Sequence, residues 1–205
     1  MANIGIMGGT FDPPHFAHLL LAERAYEQYN LDYVIFMAGG NPPHKKENDL
    51  TDAAVRNQML KAAIYDNPHF KLSEYEIRKQ EYSYTADTLE YLKEKNPNDK
   101  LFFIMGEDSL AYLDKWYRPD KIVQCATILA YPRGIKTNLH YQVQRIKKVL
   151  DADIKIIDAP ILEISSSKIR ELVGEKKSIK YLLPETVIEI IEKEQLYGRR
   201  TEKKA

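Results

Sequence analysis

The sequence has one cysteine, no net charge and no long apolar run. Each of these features argues against a particular class of protein. Its 205 residues include one cysteine, Cys125, which excludes an internal disulfide and a zinc site built on several cysteines. Cys125 lies in the apolar run "KIVQCATILA", where we expect a buried, unreactive thiol. Lys and Arg together number 30, as do Asp and Glu, so net charge gives no reason to expect a nucleic-acid or membrane partner.

No apolar run approaches the roughly 20 residues that a membrane-spanning helix needs. The opening "MANIGIMGG" lacks the basic region and the longer apolar stretch of a secretory signal. We therefore expect a cytoplasmic protein. The length suits one sizeable domain, which we place at residues 1–198 with a helical carboxyl-terminal portion from about residue 165, followed by a frayed tail over 199–205.

Short β-branched or aromatic runs alternate with segments of helical period along the chain. The predicted strands are 3–7, 32–38, 70–77, 100–106, 127–132 and 153–159. The predicted helices are 18–29, 51–65, 85–95, 107–117, 139–150, 165–173 and 184–196. This alternation predicts a doubly wound α/β fold, with a mostly parallel sheet and helices on both faces. Ligands bind such sheets beyond the carboxyl ends of the strands, which directs attention to residues 8–18, 39–46, 106–108 and 131–133.

The segment "GGTFDPPHFAH", residues 8–18, joins the first predicted strand to the first helix. Gly8 and Gly9 allow backbone N–H groups to approach a phosphate. The spacing is not the G-x-G-x-x-G of dinucleotide-binding proteins, and no Walker lysine follows, which argues against hydride transfer. His15 and His18 lie three residues apart at the positive end of the helix dipole. There they suit the oxygens of a phosphorus under in-line attack.

Two other interpretations of the histidines stay open on the residues alone. Either imidazole can serve as a structural hydrogen-bonding group of the fold. A zinc site is the other alternative, although it needs a third ligand and the H-E-x-x-H motif is absent.

This segment resembles the signature of the nucleotidyltransferase superfamily with the H-x-G-H motif, although Ala17 stands where the family has glycine. The resemblance implies a Rossmann-like fold and transfer of a nucleotidyl group from a nucleoside triphosphate, with His15 and His18 catalytic. It also implies ATP contacts at Gly8, Gly9, Thr10 and Phe11. We expect the methyl of Ala17 to cause a small local shift without loss of activity, since alanine favours the helix.

A second stretch, "ISSSKIR" at residues 164–170, resembles the family's I-S-S-T-x-I-R, which binds the β and γ phosphates at a helix N-terminus. Serine hydroxyls can cap the first helical turn, while Lys168 and Arg170 add positive charge. Taken alone, the stretch is an ordinary serine cap with a solvated face. With the resemblance, it implies ATP contacts at Ser165, Ser166, Ser167 and Arg170.

Three more stretches resemble the bacterial nicotinate-nucleotide adenylyltransferases, namely "PPHKK" (42–46), "SYTADTL" (83–89) and "MGEDSLAYLDKWYRP" (105–119). The resemblance implies that Lys45 reaches the substrate phosphate and that Thr85 faces a pyridine carboxylate. It places Trp116 against the nicotinate ring and gives Tyr117 the role of a backbone donor. Adenosine ribose contacts are implied for Gly106 and Asp108, and a position near the triphosphate for Arg133.

The resemblance as a whole implies adenylyl transfer from ATP to nicotinate mononucleotide, giving deamido-NAD and pyrophosphate. We expect Mg²⁺ to arrive with ATP, because no carboxylate cluster in the sequence indicates a metal cage built by the protein. Oligomeric state stays open, with a homo-oligomer allowed. The alternatives are another acceptor (nicotinamide mononucleotide, phosphopantetheine or flavin mononucleotide) or a nucleotide sensor without turnover. An aminoacyl-tRNA synthetase is disfavoured by the short, neutral chain.

Overall fold

In the computed structural model, six strands form one sheet between two layers of helices. The structure describes residues 1–40, 50–79, 83–132, 134 and 137–198. The strands are β1 (Asn3–Gly9), β2 (Tyr33–Ala38), β3 (Phe70–Ser73), β4 (Lys100–Gly106), β5 (Ala126–Tyr131) and β6 (Ile154–Ile156). The helices are α1 (Phe16–Gln28), α2 (Ala53–Ala63), α3 (Tyr75–Arg78), α4 (Thr85–Lys95), α5 (Glu107–Leu110), α6 (Pro119–Cys125), α7 (Leu139–Leu150), α8 (Ser166–Gly174) and α9 (Glu185–Lys193).

The strand order is β3-β2-β1-β4-β5-β6, and every pairing in this sheet is parallel. The prediction of a doubly wound α/β fold is therefore confirmed. β1 lies between β2 and β4, so the direction in which strands are added reverses on either side of it. The crevice at the carboxyl ends of β1 and β4 is the position where such sheets bind their ligands.

Each face of the sheet carries its own apolar core. On one face, Phe36 and Phe102 pack with side chains of α1, α2, α8 and α9. On the other face, Phe103 and Ile128 pack with side chains of α4, α6 and α7. Both faces are covered, which explains why the strands are nearly continuous apolar runs instead of alternating with polar residues.

The carboxyl-terminal helices pack on the same core as the first helix. The backbone N–H of Phe16 donates to the carbonyl of Leu182 at 3.1 Å, and the hydroxyl of Thr186 donates to the carbonyl of Ala62 at 3.1 Å. Ile169 of α8 is fully buried in that core. The predicted tail over 199–205 lies outside the described residues.

Three predicted elements are wrong in extent. The strand predicted over 153–159 covers only Ile154–Ile156. The strand predicted over 70–77 ends at Ser73, and the chain then forms α3, whose turn is closed by the Arg78–Glu74 ion pair at 2.6 Å. The helix predicted over 107–117 stops after Leu110 and is followed by a 3₁₀ turn at Leu113–Lys115. The guanidinium of Arg145 donates to the carbonyl of Ala111 at 2.6 Å, which removes that acceptor from a continuing helix.

Helix α6 was not predicted, because its residues read as an apolar run leading into β5. Pro119 occupies its first position, where the missing N–H costs no hydrogen bond. Cys125 ends this helix and is partly buried. Burial raises the pKa of its thiol, which agrees with the expected unreactive cysteine. None of the helices in the described ranges has the length and apolar character needed to cross a bilayer.

Candidate active site

The loop between β1 and α1 is anchored by the ring of Phe11. Phe11 is 2% exposed and adopts a left-handed backbone with φ 50°. Its ring contacts the ring of His18 edge-on at 5.0 Å between centroids and lies 6.0 Å from that of Phe36. A β-carbon on Gly9 would lie only 3.1 Å from the Phe11 ring. The glycine therefore leaves room for this ring, and any role of Phe11 at a nucleotide falls to its backbone.

The two histidines of the loop are held against each other. His15 is buried and occupies the N-cap position of α1. Its backbone N–H donates to Nδ1 of His18 at 3.2 Å, and the two imidazoles stack with 3.7 Å between centroids. Since Nδ1 of His18 accepts, a neutral His18 carries its proton on Nε2, which can donate to a ligand.

The serine-rich stretch lies directly against this loop, although about 150 residues separate the two in sequence. The hydroxyl of Ser166 donates to the carbonyl of Pro13 at 2.8 Å, and Nη1 of Arg170 donates to the carbonyl of Asp12 at 2.7 Å. Ser165 caps α8 by accepting from the N–H of Lys168, and Ser167 is exposed. The two signatures of the sequence thus meet at one place.

Sequence reasoning missed a buried arginine beneath the loop. Arg56 of α2 is 1% exposed. Its guanidinium donates to the carbonyls of Thr10, Thr51 and Gly40 at 2.9, 2.9 and 3.1 Å. Burial lowers the pKa of Arg56, while the charges of Asp12 and Asp52 act in the opposite direction. Buried charge is tolerated where it is paired and hydrogen-bonded, so Arg56 fixes the backbone of two loops, the one between β1 and α1 and both ends of the one between β2 and α2.

A second missed residue is the tyrosine that follows α9. The hydroxyl of Tyr197 donates to Oδ1 of Asp12 at 2.5 Å, and the N–H of Thr51 donates to Oδ2 at 3.2 Å. Asp12 is 1% exposed. Burial strongly raises the pKa of Tyr197, and the neighbouring Asp12 carboxylate acts in the same direction. The hydroxyl therefore stays protonated and serves as a donor.

A cavity of about 630 Å³ opens beside the loop at the carboxyl ends of β1, β2 and β4. Gly8, Gly9 and Thr10 line one side, and Thr85, Trp116 and Tyr117 line the other. The sequence analysis assigned these six residues to a nucleotide and its acceptor, and the structure brings them around one cavity. Its size falls within the usual range for small-molecule sites.

The aromatic wall of this cavity has one fixed and one exposed ring. The ring of Trp116 packs edge-on against that of Phe103, with 6.4 Å between centroids. It belongs to the core on the face of the sheet that carries α4, α6 and α7. Tyr117 is 51% exposed, and its ring lies 4.3 Å from that of Tyr84. Thr85 is the first residue of α4, and Tyr84 before it occupies the N-cap position. The backbone N–H groups of this first turn are donors for an anion.

Glu76 is a carboxylate in the cavity wall that the sequence analysis did not single out, because it lay within a predicted strand. The hydroxyl of Thr88 donates to Oε1 of Glu76 at 2.8 Å. Burial raises the pKa of Glu76. The hydrogen bond connects α3 to α4, and so positions the helix whose first turn faces the cavity.

Arg118 joins the two segments that form the acceptor side of the cavity, the first turns of α4 and the stretch that carries Trp116 and Tyr117. Its guanidinium donates to both carboxylate oxygens of Glu90 in α4, at 2.7 and 2.8 Å, and to Oδ1 of Asp87 at 3.3 Å. The hydrogen bonds with Glu90 are the main cause of the raised pKa of Arg118. Arg118 follows Trp116 and Tyr117 directly in the chain, so this bidentate pair fixes their segment to α4.

The remaining predicted residues divide between the second strand end and segments outside the described ranges. Gly106 ends β4, next to β1 at the centre of the sheet, and Asp108 is exposed in the first turn of α5. Lys45 and Arg133 lie outside the described residues. Within the described residues there is no group of three or more His, Cys, Asp or Glu side chains that could hold a metal ion.

Comparison with known proteins gives consistent results. A model of the cytidylyltransferase-like family matches residues 6–172. The nicotinate-nucleotide adenylyltransferase of Bacillus subtilis is 42% identical over 197 residues, which cover 96% of this chain and 99% of that protein. Two structures of Plasmodium falciparum nicotinic acid mononucleotide adenylyltransferase, complexed with APC and with NaAD, superpose with TM-scores of 0.76 and 0.78 at 24% identity. Each covers 96% of this chain and 98% of the other chain, and they share its fold.

Proposed function

The chain belongs to the nicotinate-nucleotide adenylyltransferases, within the cytidylyltransferase-like family, and we infer that it transfers the adenylyl group of ATP to nicotinate mononucleotide. The products are deamido-NAD and pyrophosphate. One contact in the structure supports this inference at the site. Ser166 and Arg170 donate hydrogen bonds to the carbonyls of Pro13 and Asp12, respectively. The stretch expected to bind the leaving phosphates therefore adjoins the loop expected to bind the reacting one.

In the proposed reaction, a phosphate oxygen of nicotinate mononucleotide attacks the α-phosphorus of ATP in line. The new P–O bond joins the two nucleotides, and the bond from the α-phosphorus to the bridging oxygen breaks, releasing pyrophosphate. Nε2 of His18 donates to the transferring group, with His15 stacked beside it. Arg170, the hydroxyls of Ser165 and Ser167 and the backbone N–H groups of the first turn of α8 stabilise the charge on the leaving pyrophosphate. Catalysis of this kind consists of positioning and charge stabilisation.

The acceptor occupies the cavity of about 630 Å³ in this proposal. Trp116 stacks on the nicotinate ring, while Thr85 and the backbone N–H of Tyr117 bind its carboxylate, and Lys45 reaches the phosphate of the mononucleotide. ATP lies across the strand ends, with its phosphates at Gly8, Gly9, Thr10 and Phe11, its ribose at Gly106 and Asp108, and Arg133 near the triphosphate. In this arrangement both substrates lie at the carboxyl ends of β1 and β4, where the strand order reverses and where sheets of this kind bind their ligands.

Magnesium enters in this proposal as part of the MgATP substrate. A Mg²⁺ ion that keeps its phosphate and water ligands needs few ligands from the protein, and Asp108 retains its role at the ribose. Bound to ATP, the ion would neutralise part of the charge of the triphosphate, and the protein's own contribution is Arg170 and the serine cap of α8.

Pyrophosphate release tests the function directly. The purified chain with MgATP is offered, in separate reactions, nicotinate mononucleotide, nicotinamide mononucleotide, phosphopantetheine or flavin mononucleotide. We expect release with nicotinate mononucleotide at the highest kcat/KM. Pyrophosphate release with only one of the other acceptors would identify that acceptor as the substrate. ATP binding without pyrophosphate release in any reaction would favour a nucleotide sensor.

Replacing Trp116 with alanine is expected to raise the KM for nicotinate mononucleotide about 10-fold, because stacking on an aromatic ring contributes on the order of 1–3 kcal/mol. The KM for ATP should stay within about twofold, since Trp116 lies on the acceptor side of the cavity. Steady-state kinetics with each substrate varied in turn measures both values. Equal losses for the two substrates would contradict the stacking role.

Replacing Arg118 with methionine is expected to raise the KM for nicotinate mononucleotide about fivefold, because the charge-assisted bidentate pair that fixes the Trp116–Tyr117 segment to α4 is lost. Arg118→Lys keeps the charge but not the fork, so it should recover part of this loss. Arg24→Met is the matched control, since Arg24 forms a surface ion pair with Glu27 at 2.5 Å and does not line the cavity. A KM unchanged in Arg118→Met would show that α4 alone positions the acceptor.

A further inference from the structure

We propose that Tyr197 is a positioning residue for the loop that carries His15, and that it acts through the carboxylate of Asp12. The proposal rests on the adenylyl transfer inferred above. Tyr197 follows α9 near the end of the described chain, and its hydroxyl donates to Oδ1 of Asp12 at 2.5 Å. It belongs to neither of the two nucleotidyltransferase signatures and was not found by sequence reasoning.

Asp12 is the point at which the loop is held from several sides. Its carboxylate accepts from Tyr197 on one oxygen and from the N–H of Thr51 on the other. Its carbonyl accepts from Arg170 at 2.7 Å. The side chain is 1% exposed, so water cannot readily replace a lost partner, and a buried carboxylate depends on the donors it has.

A displacement of Asp12 is transmitted to the histidines because two prolines lie between them. Pro13 and Pro14 each have a backbone φ fixed near −65° by the ring, so these two residues of the connection cannot absorb movement by rotating at φ. His15 then begins α1 and stacks on His18 with 3.7 Å between ring centroids. The orientation of both imidazoles toward a phosphate therefore depends on where Asp12 is held.

Tyr197 is itself firmly placed. After α9 the chain turns back through two residues with left-handed backbones, Gln195 with φ 50° and Tyr197 with φ 61°. Such conformations persist in residues other than glycine when the surroundings determine them. The side chain packs on the core beside α2, and its hydroxyl lies 4.0 Å from Sδ of the fully buried Met59. The donor is thus held by the core, and not by the loop it positions.

The variant Tyr197→Phe removes the hydroxyl and keeps the ring. We expect its kcat for deamido-NAD formation to fall about 10-fold, because small misplacements of reacting groups are costly in rate. The KM values for ATP and nicotinate mononucleotide should stay within about twofold. Tyr181→Phe is the matched control, since Tyr181 lies in the same carboxyl-terminal portion and is 81% exposed. It should match the wild type in every parameter.

A second measurement separates this proposal from the function itself. The imidazole ¹⁵N and ¹H signals of His15 and His18, recorded in the free protein, should shift in Tyr197→Phe and not in Tyr181→Phe. This readout needs no turnover, so it decides the proposal even if the wild type proves inactive with nicotinate mononucleotide. Both measurements are made below the unfolding midpoint of each variant, which circular dichroism gives. Unchanged kcat, or unchanged histidine signals, in the folded Tyr197→Phe variant would overturn the proposal.

Discussion

His18→Ala is expected to lower kcat for adenylyl transfer by roughly 10²–10³-fold, the effect of removing one donor aimed at developing charge. The reason lies in the tautomer that the structure indicates. Nδ1 of His18 accepts from the backbone N–H of His15, so the proton of the neutral ring is on Nε2 and points away from that bond. Alanine removes this donor and leaves the glycine turn and α8 in place.

The structure also predicts a cost in stability that must be separated from the cost in rate. His18 accepts from the backbone N–H at the N-cap of α1, and losing such a contact costs about 1 kcal/mol of folding free energy. Thermal unfolding of His18→Ala should therefore show a small decrease in midpoint, with the protein fully folded at assay temperature. Turnover is then measured well below that midpoint.

His140→Ala is the matched control for the loss of an imidazole. His140 is exposed near the start of α7, on the opposite face of the sheet from α1. It should leave kcat and both KM values unchanged. Wild-type turnover in His18→Ala would remove His18 from the reaction, and a loss confined to stability would assign it to the cap alone.

The periodicity of the sequence was sufficient to predict the fold, because the strands are short apolar runs covered on both faces. Four of the six strands lie close to their predicted limits. The strand predicted over 153–159 covers only Ile154–Ile156, and the strand predicted over 70–77 ends early at Ser73. Its later residues alternate apolar and charged side chains as a strand does, yet the chain turns there into α3. The helix predicted over 107–117 was wrong for another reason, since the Arg145 bond that ends it comes from a distant helix.

Among the described residues, the histidine loop and the serine stretch, which each carry a local signature, lie in contact, and two residues without a signature were missed. Gly8, His15 and the serines of α8 stand in recognisable motifs, so their proximity could be expected. Tyr197 has no such motif, and its partner Asp12 is 185 residues away. Arg56 looks in sequence like any charged residue of an amphipathic helix. A sequence pattern reports which face a side chain occupies, but not which carbonyls of distant loops it meets.

Arg170→Met is expected to lower kcat/KM for ATP about 10²-fold, because a charged hydrogen bond to phosphate contributes about 1.5–3 kcal/mol and each 1.36 kcal/mol is a factor of ten. Arg170 is partly buried between α8 and the loop. One guanidinium nitrogen, Nη1, already donates to the carbonyl of Asp12 at 2.7 Å. The other N–H donors of this guanidinium are expected to bind the leaving pyrophosphate. Arg170 would then both hold the loop and bind the phosphate.

The conservative variant separates these two tasks. A lysine at position 170 carries the charge on a single nitrogen, without the planar fork that lets arginine bond two groups in fixed directions. Arg170→Lys should therefore recover only part of the loss, to about 10-fold below the wild type. Lys177→Met, just beyond the same helix, loses only a surface pair with Glu175 at 2.8 Å and should leave the kinetics unchanged.

The two substrates distinguish a local effect from a general one. If Arg170 meets the pyrophosphate, the loss should fall on kcat and on the KM for ATP, while the KM for nicotinate mononucleotide stays within about threefold. If Arg170 only holds Asp12, the loss should follow the pattern expected for Tyr197→Phe, with kcat lowered and both KM values kept. An equal rise in both KM values would contradict both roles, because it would mean that the loop and the cavity had moved together.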